Sequence, residues 1–175
     1  DALRRTGIPV LENRAVPQTC NGEKYWVAGL AEIWRQTANA QTTLAQVTDG
    51  SPVIMMVHNP DAFAAMPDRV TLTVAGHTHG GQVRLPFIGA VEAVIPSQYG
   101  KRYLYGHIRE NGKDLVVTSG LGMSGLPIRF MTPPEIAVIT LKANAAPQIA
   151  GNPAPAPGPP RPSTGRGRGG PASPR

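Results

Sequence analysis

The hydrophobic positions of the chain fall into short runs that predict alternating strands and helices in its first half. Residues 52–57 are apolar throughout, and residues 70–75 form a similar run, which is typical of strands buried on both faces. Pro60 and Asp61 follow the first run and favour a short helix that continues through Met66. The pattern therefore predicts two buried strands with a helical connection between them.

Further elements are predicted on both sides of these strands. Residues 1–7 are typical of the end of a helix that Gly7 stops, and residues 39–47 predict a short helix. Strands are predicted at residues 8–16, 24–30, 83–85, 103–108, 115–118 and 136–141. Turn residues at 110–113 indicate a β-hairpin. Strand–helix alternation followed by mostly strand predicts a layered α/β sandwich.

The composition changes abruptly after Lys142. Residues 143–175 contain nine of the 19 Pro, four Arg and no acidic residue, and they show no hydrophobic periodicity. Such a segment buries too little apolar surface to offset its conformational entropy. We therefore predict one folded part over residues 1–142 and a disordered Pro/Gly/Arg-rich tail over residues 143–175. The net charge of +6 comes largely from this tail and says little about what the folded part binds.

Cysteine content and hydropathy exclude two classes of structure for this sequence. Cys20 is the single cysteine, which excludes an intrachain disulfide and a cysteine-based zinc site. No apolar run approaches the ~20 residues that a membrane-spanning helix needs.

Three of the four histidines lie just beyond the predicted buried strands. His58 follows the first strand, and His77 and His79 follow the second within a glycine-rich segment at residues 76–81. The carboxyl edge of an open α/β sheet is where ligand sites form, and glycines allow the backbone to approach a ligand closely. Neutral imidazole binds zinc, manganese or iron well. The three histidines therefore predict a metal site.

The residue pattern leaves the size of that site open. Three histidines can complete a zinc site with water as the fourth ligand, or they can belong to a larger site with carboxylates elsewhere. A self-contained three-His metallohydrolase is thus one possible function. His107 lies within an alternating strand pattern, and we interpret it as a surface or hairpin residue.

Two motifs give the sequence a specific resemblance. Residues 57–61 (Val-His-Asn-Pro-Asp) and 75–86 (Ala-Gly-His-Thr-His-Gly-Gly-Gln-Val-Arg-Leu-Pro) resemble the last two metal motifs of calcineurin-like metallophosphoesterases. Residues 119–130 and 133–136 are similar to the closing loop and final strand of a bacterial subgroup of small, often membrane-associated phosphodiesterases. Residues 99–103 also fit this subgroup. The resemblance covers approximately residues 1–142.

The resemblance implies both a fold and a chemistry. The fold would be the C-terminal half of a four-layer αββα sandwich, and the activity would be hydrolysis of phosphomonoesters or phosphodiesters by a metal-activated water. Two divalent ions (Mn, Zn or Fe) are implied, with His58 and His77 on the second ion and His79 on the first. The subgroup also implies a small-molecule or lipid-linked substrate and no nucleic-acid partner. It implies a membrane-associated or periplasmic location, and a cytoplasmic location stays open.

The family's other metal motifs are missing from the sequence. Asp-x-His, Gly-Asp and Gly-Asn-His do not occur in it, so the bridging aspartate and the usual proton-donor histidine are absent. We therefore interpret the chain as a C-terminal fragment that binds at most one metal weakly and has negligible turnover alone. The Arg/Gly/Pro tail leaves a second alternative open, a non-catalytic module that binds nucleic acid or an anionic surface.

Other polar residues near the motifs are weaker candidates. Arg84 and Arg129 could contact a substrate phosphate through their guanidinium groups. Asn59 and Asp61 most simply cap the helix that follows. Trp34 is interpreted as a packing residue that could lie near the pocket, and no ligand role is assigned to the neighbouring Glu32.

Overall fold

A mixed six-stranded sheet organises the residues that the structure describes. This computed structural model describes residues 2–35 and 37–142. The strands are β1 (Arg14–Cys20), β2 (Glu23–Gly29), β3 (Val53–Met56), β4 (Leu72–Ala75), β5 (Arg84–Leu85), β6 (Gly89–Ala90), β7 (Gly106–Glu110) and β8 (Lys113–Val117). The main sheet has the order β1-β2-β3-β4-β8-β7, with β2, β3, β4 and β8 parallel and an antiparallel strand at each edge. Strands β5 and β6 form a separate two-stranded sheet.

The helices are short and lie in the connections. They are α1 (Ala2–Arg5), α2 (Ala40–Leu44) and three 3₁₀ helices at Pro60–Ala65, His79–Gly81 and Glu92–Val94. The Asn39 side chain caps α2 by accepting a hydrogen bond from the Thr42 N–H at 2.9 Å. This helix lies within the predicted span but is shorter. Among the described residues, no helix is long and apolar enough to cross a membrane.

One face of the sheet forms the hydrophobic core. On β3, Val53 and Met55 are fully buried, and the connections that follow β3 and β4 pack onto the same face. The buried members of this core are Trp26, Ala28, Val53, Met55, Val57, Phe63, Met66, Val70, Ala75, Tyr103, Leu115 and Val117. The core therefore fixes the positions at which β3 and β4 end, which is where the histidine loops begin.

The prediction that both faces of the strand are buried is wrong for β3. Side chains alternate along β3, so that Val53 and Met55 are buried while Ile54 is half-buried and Met56 is 47% exposed. On β4, Leu72 of the second face is buried and Val74 is partly covered. The apolar run of β3 thus marks two apolar faces, of which only one is fully covered in the described structure.

The other predicted elements differ in how well they agree with the structure. The strand predicted at 24–30 and the hairpin turn at 110–113 are confirmed, and Asn111 and Gly112 have the positive φ that tight hairpin turns require. The strand predicted at 8–16 begins later, as β1. The strand predicted at 136–141 is wrong, because this segment pairs with no described strand and remains largely exposed.

The described residues up to Leu141 form one compact unit. The tail predicted over residues 143–175 lies outside the described residues. The sheet is mixed and mostly parallel in its centre, as expected for an α/β fold.

Candidate metal centre

The loops after β3 and β4 bring His58 and His77 into direct contact. Because β3 and β4 are adjacent and parallel, their carboxyl ends lie at the same edge of the sheet. The Gly76 N–H donates to the His58 carbonyl at 3.2 Å, which joins the two loops. His77 Nδ1 then lies 3.0 Å from His58 Nε2, and the ring centroids are 4.7 Å apart. Two of the three predicted ligands therefore converge.

A backbone carbonyl determines which nitrogen of His77 carries its proton. His77 Nε2 lies 3.0 Å from the Pro96 carbonyl oxygen, which can only accept a hydrogen bond. The proton of a neutral His77 is therefore on Nε2, and the lone pair on Nδ1 faces His58. A carbonyl partner of this kind is the usual support of a metal-binding histidine.

The spacing of the paired nitrogens fits ligands of one ion. With zinc–nitrogen bonds of about 2.0–2.1 Å, two ligands at a tetrahedral angle lie about 3.3 Å apart. The His77 Nδ1 to His58 Nε2 distance of 3.0 Å is close to that value. The distance between the two nitrogens therefore fits a single divalent ion bound to both rings.

The surroundings of His77 keep its imidazole neutral. Burial lowers the pKa of His77 below its ordinary value of 6.5, and the neighbouring His58 lowers it further. The hydrogen bond to the Pro96 carbonyl and the charges of Glu32 and Asp61 act in the opposite direction and are weaker. A neutral ring is the form that binds metals, so this pKa direction favours a ligand role.

Trp34 flanks the histidine pair. Its ring meets His77 edge to face, with 4.7 Å between the ring centroids, although Trp34 itself is 57% exposed. The indole and the His58 ring therefore both pack against His77. The interpretation of Trp34 as a packing residue is wrong, because most of its side chain is exposed, but its contact with His77 does place it beside the histidine pair.

His79 points to a different partner. Its Nδ1 lies 2.8 Å from Gln82 Oε1, within the turn at the 3₁₀ helix His79–Gly81. Within residues 2–35 and 37–142, no group of three or more His, Cys, Asp or Glu side chains is arranged to hold a metal ion. A self-contained three-His site is thus not assembled in the described structure. A separate ion on His79 stays a prediction.

A groove with apolar walls borders the loop that carries His77 and His79. It has a volume of about 540 Å³, and its lining includes His77, His79, Val83, Val94, Leu126 and Ile128. Val94, Leu126 and Ile128 are each more than half exposed. The groove is large enough for a small organic group next to the histidines.

The two arginines proposed for phosphate binding occupy different environments. Arg84 lines a separate cavity of about 310 Å³ together with Lys101 and Tyr105, away from the histidine pair. Arg129 donates from Nη2 to the carbonyls of Ser119, at 2.8 Å, and Gly120, at 3.1 Å, and it also binds the Gly122 and Thr132 carbonyls. These contacts hold the loop of residues 119–132 together, and a phosphate contact by Arg129 stays a prediction.

Comparisons with known proteins identify relatives of the chain. It is 40% identical over 124 residues to the metallophosphoesterase YkuE of Bacillus subtilis, an alignment that covers 70% of this chain and 42% of YkuE. It is 29% identical over 143 residues to the phosphodiesterase YaeI of Escherichia coli, covering 81% and 50% of the two chains. The alignment with the UDP-2,3-diacylglucosamine pyrophosphatase LpxG of Chlamydia trachomatis shows 27% identity over 146 residues, 78% of this chain and 42% of LpxG.

The chain belongs to the calcineurin-like metallophosphoesterase family. It spans about half the length of the curated relatives that it matches. No family model and no solved structure gives a significant match. For a metallophosphoesterase, the facing nitrogens of His58 and His77 are the observation in this structure that fits a divalent ion.

Sequence reasoning missed the supporting role of Asp61 in this candidate site. The predicted cap is confirmed, since Asn59 Oδ1 accepts from the Asp61 N–H at 2.9 Å. The buried Asp61 carboxylate, however, accepts from Ser97 Oγ at 2.5 Å and from the Gln98 N–H at 2.8 Å. It thereby holds the loop whose Pro96 carbonyl contacts His77. The partners are 36 and 37 positions away, so no local signal could have revealed them.

Proposed function

We propose that this chain supplies the histidine part of a two-metal site that hydrolyses phosphoesters. The facing ring nitrogens of His58 and His77, 3.0 Å apart, carry the proposal. These two residues would bind one divalent ion, manganese, zinc or iron, and His79 would bind the other. Metallophosphoesterase and phosphodiesterase names among the relatives support this reaction class.

Other residues of this chain would orient the histidine ligands, and the bound metal ions would act as Lewis acids. Bound divalent ions lower the pKa of a coordinated water and offset the charge of a phosphoryl group. Pro96 keeps the proton of His77 on Nε2, so that Nδ1 stays available for the ion. Asp61 keeps Pro96 in place through the 97–98 backbone.

The same chemistry supports the proposal that this chain alone has negligible turnover. A bridging carboxylate holds paired metals about 3.5–4 Å apart, and the sequence contains none of the family's aspartate motifs. Three neutral imidazoles provide no negative charge to offset two dications. We expect the chain to bind at most one ion, and to bind it weakly.

The groove supports a substrate with an apolar portion. Val83, Val94, Leu126 and Ile128 line the space next to His77. A lipid-linked phosphoester would place its hydrocarbon there and its phosphate at the histidines. One relative, LpxG, is named for the hydrolysis of a diacylated nucleotide sugar, UDP-2,3-diacylglucosamine.

We also propose that the described sheet is one half of a four-layer αββα sandwich. Apolar side chains on its second face, such as Ile54 and Met56, are only partly covered. A second sheet packed on this face would bury them at the usual spacing of about 10 Å.

Calorimetric titration of the 175-residue chain with Zn²⁺ and Mn²⁺ tests the metal proposal. We expect a stoichiometry of at most one, and an affinity that falls at least about tenfold in His58→Gln and in His77→Gln. His107→Gln is the matched control, because His107 is an exposed residue of β7 that contacts Asp114. Unchanged binding in both ligand variants would refute the proposed centre.

Hydrolysis of bis(p-nitrophenyl) phosphate by the same samples tests the turnover proposal. We expect release of nitrophenol close to the rate without protein. Rapid hydrolysis that requires His58 and His77 would show instead that the chain is a complete enzyme.

A further inference from the structure

The Gln82 side chain is held by three backbone groups of one distant loop. Its Oε1 accepts from the Ser124 N–H at 2.8 Å. Its Nε2 donates to the Ser124 carbonyl at 2.9 Å and to the Leu126 carbonyl at 3.0 Å. The two carbonyls can only accept and the N–H can only donate. The Gln82 amide therefore has one orientation, in which its oxygen and nitrogen cannot be exchanged.

This orientation determines the tautomer of His79. Gln82 Oε1 can only accept, and it lies 2.8 Å from His79 Nδ1. The proton of a neutral His79 is therefore on Nδ1, and the Nε2 lone pair is available to a ligand. Without the Gln82 oxygen, no described hydrogen bond would distinguish the two ring nitrogens of His79.

The backbone places Gln82 where it can make these contacts. Gln82 has a left-handed φ of 49°, and its carbonyl accepts from the Phe130 N–H at 3.0 Å. The Arg84 N–H donates to the Phe130 carbonyl at 2.9 Å, and Val83 forms a parallel bridge with Phe130. The segment after the histidine loop is thus paired with the end of the same loop that Gln82 contacts.

We propose that Gln82 is a positioning residue that sets the tautomer of His79 for metal binding and couples this histidine to the loop of residues 122–128. The metal part rests on the proposed function, whereas the tautomer and the loop contact do not. Gln82 touches neither a metal nor a substrate in this scheme. It acts on His79 through Oε1 and on the loop through both amide atoms.

Two substitutions separate the two contacts. Gln82→Glu retains an oxygen that accepts from His79 Nδ1 but has no donor for the Ser124 and Leu126 carbonyls. Gln82→Met has a similar length and lacks a strong hydrogen-bonding group. Gln18→Met is the control for the loss of an amide, because Gln18 is exposed on edge strand β1.

Two-bond ¹H–¹⁵N correlation spectra of the metal-free chain give the deciding measurement. At about pH 8.5, well above the ordinary histidine pKa near 6.5, the spectra show which nitrogen of each ring carries the proton. His79→Gln assigns the His79 signals. We expect the Nδ1–H form in the native chain, in Gln82→Glu and in Gln18→Met. In Gln82→Met the Nδ1–H form should lose its predominance.

Amide hydrogen exchange at Ser124 provides the second readout, since its N–H donates to Gln82 Oε1. Its protection should fall in Gln82→Met and remain in Gln18→Met. An Nε2–H form of His79 in the native chain, or an unchanged Nδ1–H form in Gln82→Met, would overturn the proposal. The native spectrum decides this even if Gln82→Met does not fold. Because no metal is present, this failure is distinct from a failure of the proposed phosphoesterase function.

Discussion

Left-handed backbone is concentrated in the loop of residues 76–82, which carries His77 and His79. His77, His79 and Gln82 have φ values of 68°, 52° and 49°, and the two intervening glycines are also positive. Non-glycine residues in this region carry a conformational cost, and such costs cluster at functional sites. The loop therefore depends on its surroundings, and above all on its glycines, to keep this shape.

Gly81→Ala tests this dependence. Gly81 has a φ of +88°, and an added Cβ would lie 2.6 Å from the Cβ of Ala90. We expect a loss of about 2–4 kcal/mol in the free energy of unfolding, from left-handed strain and overpacking together. Urea denaturation measures it. Gly50→Ala is the control, because its added Cβ meets nothing within 4 Å. Equal stability of the two variants would contradict the argument.

Glu135 connects the last described segment to the end of β8. Its Oε1 accepts from Thr118 Oγ1 and from the Ser119 N–H, both at 3.0 Å, and its Oε2 accepts from the Tyr105 hydroxyl at 2.5 Å. The Tyr105 hydrogen bond is the largest cause that lowers the pKa of Glu135 below its ordinary 4.5, and the Ser119 N–H is the next. The ionised form is therefore favoured in the folded state.

This pKa direction predicts a pH-dependent contribution to stability. A folded-state pKa below the unfolded value stabilises the chain fully above about pH 4.5, and the contribution is lost as the pH falls through the folded value. The melting temperature of Glu135→Gln should therefore lie below that of the native chain at pH 7. The difference should shrink as the pH falls below 4.5. A difference in melting temperature that stays constant down to pH 3 would show that the ionisation of Glu135 does not contribute to stability.

At the scale of the element, β3 shows how one strand divides its side chains between a covered and an uncovered face. Met55 is fully buried, and its neighbour Met56 is 47% exposed. Both residues are methionines on the same strand, so substitutions at the two positions form a matched pair. We expect Met55→Ala to lower the free energy of unfolding by about 2–5 kcal/mol and Met56→Ala by less than about 1 kcal/mol.

Thermal and urea denaturation of the isolated chain measure both variants. Equal, large losses would mean that the second face of the sheet is already packed in solution. That outcome would contradict the described burial and imply association through this face.

The elements that could be predicted from the sequence are those whose hydrophobic pattern is local and whose pairing follows the general rule for parallel strands. The apolar runs at 52–57 and 70–75 became β3 and β4, and the rule for parallel strands placed His58 near His77. The run at 136–141 looks equally strand-like. The prediction of a strand there is wrong because the hydropathy of a segment does not show whether a partner strand is present.

Supporting contacts of the site could not be predicted in the same way. Asp61 reaches Ser97 across 36 positions, and Gln82 reaches Ser124 across 42. Both contacts join irregular loops, where no periodicity relates the partners. Arg129 likewise binds loop carbonyls nine and ten positions away, contacts that its suitability for phosphate does not indicate.

At the scale of the whole molecule, metal binding should raise the free energy of unfolding and the melting temperature. An ion that binds the folded chain alone stabilises it by about 2.7 kcal/mol when its concentration is one hundred times Kd. We therefore expect Zn²⁺ to raise the melting temperature of the native chain and EDTA to reverse the effect. His77→Ala should abolish the rise, whereas His107→Gln should retain it. A rise of the same size in His77→Ala would place the bound ion elsewhere.

The short separation of His58 and His77 has a consequence for the order of folding. Only 19 positions separate them, on strands that pair directly, whereas Gln82 and Ser124 are 42 positions apart. The entropy of loop closure grows with the length of the loop, so the shorter contact forms with the smaller loss of chain freedom. Pulse-labelled exchange during refolding should show protection of β3 and β4 before that of Ser124. In a folding chain, His58 and His77 would then meet before the loop of residues 122–128 contacts Gln82.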